Sequence, residues 1–143
     1  MASFHILFAN DDVITQWTTS ELLNSAGFDV TSACRGTQVS DLLNDAPEFD
    51  LLLADIELPD SAPEFNLGAL WQRTCPGRSA IFTGPGHAAY SYPLQLHPLR
   101  PHEVFLATPY RPRLLIRTVM RAIRDAALGI HVPNNPRRVH HVH

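Results

Sequence analysis

Lysine is absent from all 143 residues, and the eleven basic side chains are all arginine. A compositional bias in the source genome is the simplest cause, and the chemical consequence is independent of it: no step that needs a lysine ammonium can run in this chain. Cysteine is scarce as well. Cys34 and Cys75 form neither a metal-ligand spacing nor a disulfide framework, which suits a reducing, cytoplasmic setting. Charged residues make up only 17% and the formal net charge is −3, so no strong grip on nucleic acid is expected. No apolar run approaches the roughly twenty residues needed to cross a bilayer. The start, Met1 to His5, has neither the basic residues nor the apolar stretch of a signal peptide, so a cytoplasmic location without membrane contact is expected. Glycine is missing from the turn after the first apolar run, where a phosphate-binding loop would need it. Gly84-Pro85-Gly86 is too short a signal, and no Gly-x-Ser-x-Gly elbow occurs. An enzyme or cofactor binder is therefore not the expected class.

What the chain does have is an alternation of short apolar runs and helical stretches. Phe4 to Ala9 reads as a buried strand, broken by Asn10-Asp11-Asp12. Residues 13 to 26 read as a helix with Ile14, Leu22, Leu23 and Ala26 inward, stopped by Gly27. Phe28 to Ala33 is a second strand. Thr37 to Asn44 is a short helix with Val39, Leu42 and Leu43 on its apolar face. Leu51 to Ala54 is a third strand, apolar on both faces, as in a parallel sheet covered on two sides. A helix over Glu64 to Arg73, strands over Ser79 to Phe82 and Val104 to Ala107, and a helix over Arg113 to Ala127 follow. Trp17 and Trp71 lie on helices and read as packing residues. Prolines at 85, 93, 98 and 101 leave the fourth helix irregular, since an internal proline costs about 3 kcal/mol. The expected fold is an α/β, flavodoxin-like three-layer sandwich with five parallel strands in the order 2-1-3-4-5. Residues 1–128 make this one domain, and 129–143 a flexible tail or linker start.

In such a sheet, ligands bind beyond the carboxyl ends of the strands, beside the switch in strand order. Strand one is followed by Asn10, Asp11 and Asp12, strand three by Asp55, strand four by Thr83 and strand five by Thr108. Asp11 and Asp55 should face each other across the switch point. Two such carboxylates repel unless a cation or a proton compensates, and magnesium is the natural hard cation for them. Asp12 has a second reading as a helix N-cap, and Thr83 one as plain turn chemistry.

These residues carry a resemblance. From about Ser3 to Ala127 the chain resembles a receiver domain of the bacterial response-regulator family. Ile6 to Asp12 resembles the first strand and acidic cluster, and Asp50-Leu51-Leu52-Leu53-Ala54-Asp55-Ile56-Glu57-Leu58-Pro59 the phosphoacceptor stretch. Phe105 matches an aromatic position, and Pro109-Tyr110 a signature whose lysine is missing. The resemblance implies a receiver of two-component phosphorelay signal transduction. A sensor histidine kinase or phosphotransfer protein would supply a phosphoryl group to Asp55. Mg²⁺ would be held by Asp11, Asp55 and the backbone carbonyl of Glu57, with Thr83 as the switch hydroxyl. Asn10 stands where an acid is usual, so it would coordinate weakly, and Thr108 stands where the lysine is usual. The expectation is an atypical receiver with weakened switching. The alternative is a phosphorylation-independent interaction module on the same fold.

Two features remain. Arg113, Arg117, Arg121 and Arg124 recur on one side of the last helix: a solvated face, a contact for an acidic partner, or a homodimer surface. Of the eight histidines, His140, His141 and His143 lie in the tail without a scaffold, and His87, His97 and His102 in the proline-rich stretch.

Overall fold

The computed structural model describes residues 3–45, 48–59, 67–87, 99–129 and 139–140. Its strands are β1 (His5–Ala9), β2 (Asp29–Ala33), β3 (Leu51–Asp55), β4 (Ser79–Pro85), β5 (Glu103–Thr108) and β6 (Val139–His140). Its helices are α1 (Val13–Ser25), α2 (Gly36–Asp45), α3 (Leu67–Thr74) and α4 (Pro112–Ala127). All strand pairs are parallel, in the order β2-β1-β3-β4-β5-β6. The first five are the expected 2-1-3-4-5 arrangement. The sixth is an addition: Val139 and His140, within the expected tail, pair with Phe105 and Leu106. The irregular fourth helix falls largely on residues 88–98, outside the described residues.

The two faces of the sheet bury separate cores, because side chains alternate along each strand. Leu7, Leu52, Ala54, Phe82 and Phe105 pack with Val39 and Leu43 of α2 and with Leu70 and Trp71 of α3. Ile6, Phe8, Leu51, Leu53, Ile81 and Leu106 pack with Leu23 of α1 and with Leu115, Val119 and Ile123 of α4. The three leucines of β3 are entirely buried.

Helix α1 departs from expectation. Thr19 and Leu23 are its buried residues, whereas Ile14 and Ala26 are exposed. Trp17 is 68% exposed and does not pack, while Trp71 is fully buried as expected. The reason is Gln16. Its side-chain amide donates to the carbonyls of Asn10 and Ala33, both at 3.1 Å, and so satisfies backbone groups where β1 and β2 end. Gln16 thus takes a half-buried position against the strand ends, while Val13, Ile14 and Trp17 are exposed.

Candidate functional site

The carboxyl ends of β1, β3, β4 and β5 meet at one edge of the sheet. In register, Asp55 lies beside Thr83, and Pro85 beside Thr108. Asp55 follows Leu53 by two residues, Thr83 follows Ile81 and Thr108 follows Leu106. The alternation therefore sets all three on the face that carries α1 and α4. Thr83 is buried, Asp55 half-buried and Thr108 exposed.

The loop after β3 is held from three sides. The Glu57 N–H donates to Asp55 Oδ1 at 2.7 Å, and the Ile56 N–H to the Thr83 carbonyl at 3.0 Å. The Gly36 N–H, at the start of α2, donates to the Pro59 carbonyl at 2.8 Å. Gly84 lies against Ile56: a Cβ there would fall 2.9 Å from the isoleucine side chain.

The acids after β1 divide their roles. Asp12 is the N-cap of α1, its carboxylate accepting the Thr15 N–H at 3.0 Å and the Thr15 hydroxyl. These bonds hold its carboxyl below the usual range, and they occupy it with the helix rather than with Asp55. Asn10 is buried, and its Oδ1 accepts the Asp12 N–H at 2.8 Å. Asp11 is exposed, and its charge reaches Asp55. Burial pushes the Asp55 carboxyl above the ordinary range, against the pull of the Glu57 N–H, and the charges of Asp11 and Glu57 push it further. Thr108, exposed at the end of β5, brings no charge to this edge.

Sequence reasoning brought Asp11, Asp55 and Thr83 to this edge, and the structure gathers them there. Glu57 follows with its backbone N–H on Asp55. Among the described residues no group of three or more His, Cys, Asp and Glu side chains is arranged to hold a metal. A cation would rest on Asp11 and Asp55 alone as charged ligands, and their mutual repulsion favours one. Two residues were missed. Gln16 gives no signal, since a glutamine on a helix reads as solvated. Tyr110 belongs to the Pro109-Tyr110 signature, but its hydrogen-bond contact with Thr19, at 3.3 Å, joins residues distant in sequence. Burial raises the Tyr110 hydroxyl pKa, Thr19 lowers it, and the charge of Asp55 raises it again.

This architecture is the receiver fold of response regulators. A response regulator receiver domain protein (CheY-like) from Methanospirillum hungatei JF-1 superimposes with a TM-score of 0.74 at 22% identity, over 89% of this chain and 98% of that one. A response regulator receiver protein from Sinorhizobium medicae WSM419 gives 0.73 at 20% identity, over 87% and 97%. The chemotaxis response regulator CheY4 of Vibrio cholerae gives 0.66 at 18% identity, over 85% and 99%. No protein-family model matches the chain, and no curated protein matches it by sequence. At such identities the likeness lies in the fold. No helix among the described residues is long and apolar enough to cross a membrane.

Proposed function

We propose that this chain is an atypical receiver that accepts a phosphoryl group on Asp55 and switches weakly in response. The observation that carries the reading is the placement of Asp55: half-buried, at the carboxyl end of β3, in register with Thr83 and within the field of Asp11. A carboxylate oxygen of Asp55 attacks the phosphorus of a phosphohistidine or a small phosphodonor. The new P–O bond forms as the donor bond breaks, and the donor leaves with the electron pair. The Glu57 N–H holds Asp55 Oδ1, which leaves Oδ2 as the attacking atom. Thr83 offers a hydroxyl beside the acceptor. Asp11, Asp55 and the Glu57 carbonyl would hold Mg²⁺, which when bound offsets the charge on the phosphoryl oxygens. Asn10 adds only a neutral amide oxygen, already engaged by the Asp12 N–H.

Exposed Val13, Ile14 and Trp17 on α1 give a phosphotransfer partner an apolar landing next to this edge. Thr108 supplies a neutral hydroxyl in place of an ammonium, and charge-assisted contacts are roughly twice as strong as neutral ones. The phosphoryl group is thus held less firmly, and its signal is damped. The neutral side chain of Thr108 also favours a second reading, a constitutive interaction module. One experiment separates the two. Incubation with acetyl phosphate and magnesium, read by intact mass, should add one phosphoryl group to the wild type and none to Asp55→Asn. Uptake that Asp55→Asn leaves unchanged, or no uptake at all from this donor or from phosphorylated kinase, leaves the module reading.

A further inference from the structure

A groove runs along the outside of the molecule between α1 and α4. Its wider part encloses about 780 Å³ over Leu22, Ile116 and Met120, with an arginine row along the α4 side. A second hollow of about 450 Å³, reaching Thr18, Tyr110 and a single acid, Glu21, continues it across the shared Leu22 and Pro112. Among the described residues, neither the apolar floor is fully covered nor the charge fully paired. Met120 is 58% exposed. Arg113, Arg117 and Arg121 have no ion-pair partner among the described residues, and Arg124 reaches only its neighbour Asp125, at 3.5 Å.

We propose that this groove docks an amphipathic helix of an acidic partner protein. Its apolar side would cover Leu22, Ile116 and Met120, and its Asp and Glu residues would meet the arginines. The arginines are spaced four, four and three residues apart, so they form one ridge, opposite the buried Leu115, Val119 and Ala122. From Arg113 to Arg124 the helix rises about 16 Å, enough for about three turns of a partner laid alongside. Guanidinium groups pair well with carboxylates, and the pairing strengthens where an apolar contact excludes water.

Other occupants fit less well. A symmetric pair of this chain would set the arginine row against itself, and like charges across an interface are costly. The chain's own end, residues 130–143, contains no Asp or Glu and adds Arg137 and Arg138. Nucleic acid would satisfy the arginines but leave Met120 and Ile116 uncovered. The inference rests on the groove alone and does not depend on the chemistry of Asp55.

The test is a selection of helix-forming peptides of about 12–16 residues from a displayed library against the full chain. Binders should combine Leu, Ile or Met at helical spacing with an acidic flank. In amide NMR they should shift residues around Leu22, Ile116 and Met120. Arg117→Glu with Arg121→Glu should weaken them by about tenfold or more, and so should rising salt. Met120→Ser, on the exposed floor, should weaken them independently of charge. The proposal is overturned if no peptide binds, if binders lack acidic residues, or if shifts map elsewhere. Displacement of the peptides by an oligo-dT strand would assign the groove to nucleic acid. Sedimentation showing a wild-type dimer that Met120→Ser dissociates would assign it to a second copy.

Discussion

At the level of single residues, Asp55 carries the clearest thermodynamic signature. Burial first, and then the charges of Asp11 and Glu57, raise its pKa above the ordinary 3.8. A carboxylate whose folded pKa is raised binds more protons folded than unfolded between those two values, so stability falls as pH rises through that window. Asp55→Asn cannot ionise and escapes the loss. Thermal melts of both proteins from about pH 3 to about pH 8 should coincide in acid, diverge as pH rises from the unfolded value through the raised folded pKa of Asp55, and stay apart above it, with Asp55→Asn the more stable at neutral pH. Magnesium should narrow that gap, because the ion offsets the same charge. Melting curves that run parallel at every pH would mean that the carboxylate is well solvated. Asp11, Asp55 and Thr83 were all legible in the sequence, because strand ends in a parallel sheet are where such groups converge. The N-cap role of Asp12 was legible as one of two readings, and the geometry of Thr15 selects it over a third acid of the cluster.

At the level of elements, the site depends on how the ends of β3 and β4 fit together. Gly84 lies where any side chain meets Ile56, and the Ile56 backbone is tied to the Thr83 carbonyl. The isoleucine cannot retreat as a unit, so Gly84→Ala must force a new rotamer or shift the loop. Overpacking of this kind costs about 1–3 kcal/mol, which denaturant unfolding would register. On the proposed function the same change should also slow phosphoryl uptake, because Ile56 directly follows Asp55. Unchanged stability would show that Ile56 repacks freely. The strands themselves were legible for a simple reason: a run such as Leu51 to Ala54, apolar on both faces, has few other places to go. The rotation of α1 was not legible, since Val13, Ile14 and Trp17 carry the residue types of a core and none of its burial. Nor was β6, whose two residues are too few to show a period.

At the level of the whole molecule, the missing lysine becomes a statement about switching. On the proposed function, Thr108 would offer a phosphorylated Asp55 only a neutral hydroxyl, and no lysine ammonium in the chain can substitute. The expected outcome is a small rearrangement: amide shifts on adding beryllofluoride should stay near residues 55 to 59 and 83 to 84. Thr108→Lys should extend them across 99 to 112. Large shifts over that span in the wild type would refute a damped switch. The separation of the core into two layers has a practical optical consequence. Trp71 is sealed in the layer of α2 and α3, whereas Trp17 stands in solvent in the first half of α1. Trp71 should emit to the blue, shielded from acrylamide, and its signal should follow unfolding. Trp17 should emit to the red, open to the quencher, and should dim or shift when a partner covers α1. A single unlabelled sample thus carries two built-in fluorophores, one a gauge of folding and the other of docking, readable at separate wavelengths.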